Sequence, residues 1–67
     1  MAKTGVIYGI NGPVVSLRGD AGFQMNEMVY VGEEKLVGEV IGLTSEKTTI
    51  QVYEETSGIK PGEIVVG

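Results

Sequence analysis

Cysteine, histidine and tryptophan are all absent from this chain of 67 residues. Without cysteine there is no disulfide framework and no thiolate metal site. Without histidine as well, the usual zinc ligands and nucleophile–base pairs are missing. There is one Phe, so the core has to come from Val, Ile, Leu and Met with three Tyr. That is a modest supply for a domain near the lower size limit for an unstapled hydrophobic core. No apolar run approaches the roughly 20 residues that span a bilayer. The start, Met-Ala-Lys-Thr-Gly, passes into a strand-like pattern without the apolar stretch of a signal peptide. These features read as a cytoplasmic chain with no direct membrane contact.

Basic residues are also scarce. Five cations stand against nine acids, a net charge of −4. Lys3, Arg18, Lys35, Lys47 and Lys60 are too few and too scattered to follow a phosphate backbone, which argues against nucleic acid as a partner. No segment matches the phosphate-cradling G-x-x-x-x-G-K-[ST] pattern, and Gly9-Ile-Asn-Gly12 is not a dinucleotide fingerprint. No catalytic, cofactor-binding or metal-binding residue is assigned.

What is present is β pattern throughout. Strands are expected over Val6–Ile10, Val14–Arg18, Glu27–Gly32, Leu36–Thr44, Thr48–Tyr53 and Glu63–Val66. The breaks are Asn11-Gly12-Pro13, Gly19-Asp20-Ala21-Gly22, Glu33-Glu34-Lys35, Ser45-Glu46-Lys47 and Glu54–Gly62. Asn11-Gly12 is a turn signal, and Pro13 is tolerated at the first position of the next strand. Lys60-Pro61-Gly62 suits a type II turn, with φ preset by Pro and the positive φ supplied by Gly. Many short strands with no helical period predict a small closed all-β barrel of six strands, a single domain over 1–67, since closure removes exposed edges.

A weak internal repeat runs through it. Gly5-Val-Ile-Tyr-Gly9-Ile10 matches Gly38-Glu-Val-Ile-Gly42-Leu43 at an offset of 33, and Leu17 falls on Ile50 at the same offset. Glu27-Met-Val-Tyr echoes Glu63-Ile-Val-Val at an offset of 36. The expectation is two pseudo-symmetric three-stranded halves.

Candidate functional residues are few. Glu54-Glu55 and Glu33-Glu34 are acidic doublets, but neighbours on a strand face opposite ways and do not converge on a cation. They read as solvated positions or as acids meeting basic residues on a partner. Tyr8, Tyr30 and Tyr53 lack the basic groove of a nucleic-acid platform and read as core or interface. Phe23, Met25 and Met28 make an unusually apolar loop, either an exposed interaction site or a flap over the barrel mouth. The candidate subunit interface is therefore Tyr53, Glu54, Glu55, Phe23 and Met25.

Three stretches carry a family resemblance. Gly5-Val-Ile-Tyr-Gly-Ile-Asn-Gly-Pro-Val-Val15, Met28-Val-Tyr-Val-Gly32 with Leu36-Val-Gly-Glu-Val-Ile41, and above all Ile50-Gln-Val-Tyr-Glu-Glu-Thr-Ser-Gly-Ile-Lys-Pro-Gly-Glu63 resemble the catalytic A subunit of V/A-type rotary ATPases near its N-terminus. The resemblance implies a six-stranded barrel that alternates with B-subunit barrels in a crown and holds the hexamer together, away from the nucleotide. The parent couples ATP hydrolysis or synthesis to proton or sodium transport. Its P-loop and catalytic Glu lie outside the resembling region, so this chain is expected to be no enzyme by itself and to hold no cofactor. One departure stands out. The family usually places Pro after the Gly-Glu pair, whereas Glu63 is followed by Ile64-Val-Val-Gly67, and the end reads as that of an excised domain. The rival expectation is a free-standing or engineered small barrel, with binding at its loops or no function of its own.

Overall fold

The computed structural model describes residues 3–19 and 22–67. Six strands form: β1 (Thr4–Asn11), β2 (Val14–Arg18), β3 (Met28–Val31), β4 (Leu36–Leu43), β5 (Lys47–Val52) and β6 (Ile64–Val66). They close into a barrel in the order β1-β2-β5-β4-β3-β6, each pair antiparallel. The expected strands are all found, with ends differing by up to two residues. Asp20 and Ala21, expected within the second turn, lie outside the described residues, as do Met1 and Ala2.

The repeat is structural. β1 pairs with β2 through Ile7↔Leu17 and Gly9↔Ser16, with a register shift between them. β4 pairs with β5 through Val40↔Ile50 and Gly42↔Thr49, with the same shift between them. Adding 33 to each residue of the first set gives the second. On the other side, Val6↔Ile64 and Gly5↔Val65 correspond to Glu39↔Met28 and Gly38↔Val29. A pseudo-two-fold axis therefore crosses the barrel, through the Ser16↔Thr49 pair on one flank and the Tyr30↔Val66 pair on the other.

The turns obey the same symmetry. Gly62 (φ 98°) completes Lys60–Glu63, where the Glu63 N–H donates to the Lys60 carbonyl at 3.2 Å, as a type II turn requires. Asn26 (φ 66°) completes Gln24–Glu27 in the same way, at 3.1 Å. Each turn is fastened by its own glutamate: Glu63 accepts from the Lys60 N–H at 3.2 Å and Glu27 from the Gln24 N–H at 2.9 Å. This is why the two strands start one residue later than expected, at Met28 and Ile64: the preceding Glu is committed to a turn. At the first hairpin Asn11 stays in β1, paired with Val14. Gly12 (φ 60°) and Pro13 are the two turn residues, with the positive φ at the first central position as in a type II′ hairpin. Pro13 thus sits in the turn and Val14 opens β2.

Inward-facing residues fill the barrel. Val15, Leu17, Val29, Val31, Val40, Ile50 and Val65 have no solvent exposure. Leu17 and Ile50 are symmetry counterparts, as are Ile7 and Val40. Phe23 folds in from the β2–β3 connection and Ile59 from the β5–β6 connection, closing opposite ends. Thr48, the counterpart of Val15, is fully buried, and its hydroxyl donates to the Gly19 carbonyl at 3.0 Å. With the polar group paired, its burial is tolerated.

Candidate interaction surface

With the interior packed, chemistry is confined to the outside. No group of three or more His, Cys, Asp or Glu among the described residues is arranged to hold a metal ion. Among the same residues no helix is long and apolar enough to cross a membrane.

Among the described residues, eight large apolar or aromatic side chains stand exposed: Val6, Tyr8, Met25, Met28, Tyr30, Ile41, Tyr53 and Ile64. Their placement follows from strand geometry. Outward positions alternate with the core, giving Val6 on β1, Met28 and Tyr30 on β3, and Ile64 on β6. Tyr8 and Ile41 are the extra residues of the two bulges, where the register shifts between Ile7 and Gly9 and between Val40 and Gly42. A bulge re-aims the residue it adds, here outward. The flank made by β2 and β5 differs: its pairs Ser16↔Thr49 and Arg18↔Lys47 are polar.

The β3–β4 flank also carries Glu39, at an outward position of β4. One oxygen of its carboxylate accepts from the Tyr53 hydroxyl and the other from Asn26 Nδ2 at 2.9 Å. These bonds, that of Tyr53 foremost and then that of Asn26, hold the Glu39 carboxyl below its ordinary pKa against a smaller opposing desolvation. Reciprocally, the bond to Glu39 raises the Tyr53 phenol above its ordinary value, helped by desolvation and by the Glu39 charge. Met28 faces Glu39 across the β3–β4 ladder.

Among the expected interface residues, Tyr53 and Met25 are exposed and both border this network. Tyr53 bonds Glu39 directly, and Met25 precedes Asn26 in the Gln24–Glu27 turn. Glu54 and Glu55 are exposed but engaged with backbone: Glu54 accepts from the Val37 N–H at 3.0 Å and Glu55 from the Thr56 N–H at 3.1 Å. Phe23 is buried at 4% exposure, so its ring belongs to the core rather than to an interface, whereas Met25 and Met28 beside it are exposed. The three tyrosines are about half exposed or more and do not build the core. Glu39, Asn26 and Ile41 were not singled out from sequence. The available signal was one acid in the middle of Leu-Val-Gly-Glu-Val-Ile-Gly-Leu, at an outward position of an apolar strand.

Elsewhere, Lys3 Nζ bonds Glu27 at 2.8 Å and the Arg18 guanidinium lies 4.2 Å from the Tyr8 ring centroid. An apolar groove of about 410 Å³ runs between β3 and β6, bordered by Tyr30, Ile64 and Val66 with Glu33, Lys35 and Glu63 at its rim.

Residues 7–67 match the family model described as ATP synthase alpha/beta family, beta-barrel domain. The chain belongs to this family. Within it, the similarity is to A subunits of V/A-type enzymes. The V-type ATP synthase alpha chain 2 of Clostridium tetani is 59% identical over 59 residues, covering 88% of this chain and 10% of that protein. The A subunit of the A-type ATP synthase of Haloferax volcanii is 61% identical over 64 residues, covering 94% and 11%. The V-type ATP synthase alpha chain of Halothermothrix orenii is 55% identical over 65 residues, covering 97% and 11%. The chain thus spans about a tenth of the length of these relatives. The observed closed six-stranded barrel is consistent with the beta-barrel domain that the family description names.

Proposed function

We propose that this chain is the N-terminal barrel of the A subunit of a V/A-type rotary ATPase, and that it is an assembly module. Its outer flanks pack against the barrels of neighbouring B subunits and hold the A/B hexamer together, while nucleotide chemistry resides elsewhere in the parent. The observation that carries the reading is the identity to A subunits over nearly the whole chain. The surface is consistent with it, because exposed apolar and aromatic side chains outside a filled barrel are what a contact module needs. A ring built from such side-to-side heterologous contacts closes on itself and resists torque. The domain itself takes no nucleotide and no metal in this reading.

The test is a pair of titrations of the purified chain, one with Mg-ATP and one with the B subunit of the same source. Binding to the B subunit with no heat from Mg-ATP is the expected result. Saturable Mg-ATP binding, or turnover, would overturn it.

A further inference from the structure

The pseudo-two-fold provides an internal control: whatever the barrel needs in order to fold should recur at both symmetry-related places. Most features do. The bulges recur at Tyr8 and Ile41, the positive-φ turns at Gly62 and Asn26, and the end plugs at Phe23 and Ile59. Exposed apolar residues recur too, Met28 with Ile64. The Glu39 network does not. The counterpart of Glu39 is Val6, paired with Ile64 as Glu39 is with Met28. The counterpart of Asn26 is Gly62, whose position has no side chain to donate. The β1–β6 flank closes with Val6 and Gly62 in these two places, so a hydrogen-bonded carboxylate at the Glu39 position is surplus to what the fold requires.

What the network produces is a carboxylate fixed by two donors, paired across the ladder with Met28, on a flank that also carries Met25, Ile41 and Tyr53, all about half exposed. Tyr and Met are enriched in contact cores, and an oriented carboxylate among them selects a complementary cation. A planar guanidinium suits it, since it donates in parallel to a carboxylate and lies flat on aromatic and thioether surface. Among the described residues no cation of this chain bonds Glu39, and its two donors are neutral.

We propose that the β3–β4 flank is a polarised docking surface that takes a protein partner presenting an arginine, or failing that a lysine, to Glu39 within an apolar contact against Met25, Met28 and Ile41. Tyr53 is a positioning residue that sets the carboxylate for that cation. The β1–β6 flank, with Val6 and Ile64 in the equivalent places, makes a contact of different, apolar character. The barrel therefore offers two related flanks that distinguish two neighbours. The partner's identity rests on the assembly reading above, in which it is a B-subunit barrel.

The experiment titrates the isotopically labelled chain with the purified B subunit, following amide signals and affinity at several salt concentrations. Expected are perturbations at Met28, Glu39, Ile41 and Tyr53, and affinity that falls with added salt. Glu39→Gln is expected to weaken binding at least tenfold and to flatten the salt dependence, and Tyr53→Phe to weaken it less with the salt dependence kept. Both positions face solvent, and the unbound spectrum of each variant reports whether the barrel is intact. Unchanged affinity and salt dependence in Glu39→Gln, with perturbations confined to Val6, Tyr8 and Ile64, would overturn the flank assignment and leave the assembly reading in place. Failure of the unsubstituted chain to bind the B subunit would remove the assembly reading and the partner named here together.

Discussion

Gly62 and Asn26 are the same residue of the fold written twice. Each has positive φ at the third position of a turn, and each donates its N–H to the bulged strand opposite, Gly62 to the Ile7 carbonyl at 2.9 Å and Asn26 to the Val40 carbonyl at 2.8 Å. Ile7 and Val40 are themselves counterparts, and the return bonds match: Ile7 N–H to the Glu63 carbonyl at 2.9 Å, Val40 N–H to the Glu27 carbonyl at 3.0 Å.

This equivalence predicts what Gly62 tolerates. Asparagine enters the left-handed region more readily than other side chains, and a Cβ at Gly62 meets no atom within 4 Å. Gly62→Asn is therefore expected to fold with a small loss. Gly62→Val is expected to lose about 1–2 kcal/mol from backbone strain. Urea denaturation of the two variants checks the order, and equal stability would refute the role given to φ.

Leu17 and Ile50 are counterparts in the centre of the core, both without solvent exposure. Truncation of either to alanine is expected to cost about 2–5 kcal/mol. Against a total stability of roughly 3–10 kcal/mol for a chain this size, that removes much of the folded population. The two losses should be of similar size, since the sites are related by symmetry. Thermal melts followed by circular dichroism measure them, and a loss at one site alone would contradict the symmetric packing.

Gly38 is a close-approach position. A Cβ there would lie 2.9 Å from Ile50 Cγ2 and 3.0 Å from the Gln51 carbonyl oxygen. Because one of those atoms is backbone, the neighbour cannot simply rotate away. Gly38→Ala is expected to destabilise by about 1–3 kcal/mol through overpacking, despite the better strand propensity of alanine over glycine. A denaturation midpoint at or above that of the parent would show that the ladder yields instead.

Two titrations follow from the Glu39–Tyr53 bond. The folded Tyr53 phenol titrates above its ordinary value of 10.0, so its contribution to stability is full below that pH and is lost as pH rises through the folded value. Glu39 titrates below its ordinary 4.5, so its contribution is present above that pH and is lost as pH falls through the folded value. Absorbance of tyrosinate against pH should resolve one phenol with a raised transition. In Glu39→Gln that transition should move down, and a transition that stays in place would rule out Glu39 as its cause.

Much of the fold was legible in the sequence because its signals are local. Alternation at Val15 and Leu17, the Gly12-Pro13 and Pro61-Gly62 turns and the offset of 33 are all visible without coordinates. The Gln24–Glu27 turn was not, because Asn26 provides the positive φ without the Pro-Gly wording of its counterpart. The surface was less legible. Tyr53 and Met25 are exposed, yet the group they border, Glu39, draws its two hydrogen-bond partners from two separate connections, and pattern along one strand does not show this. Phe23 misled in the opposite direction. Composition leaves its loop open between a sticky surface and a flap, and the burial of the ring, like that of its counterpart Ile59, is what places it in the core.

If this barrel is the assembly domain of an A subunit, it should restore assembly to a relative whose own barrel has been removed. The decisive measurement replaces the matching 65 residues of the Halothermothrix orenii alpha chain with this chain. Native mass spectrometry then follows hexamer formation with the B subunit, beside a variant lacking the barrel. The expected result is an A/B hexamer from the replaced protein and none from the barrel-less one. A barrel-less variant that assembles as well as the parent would contradict the assembly role.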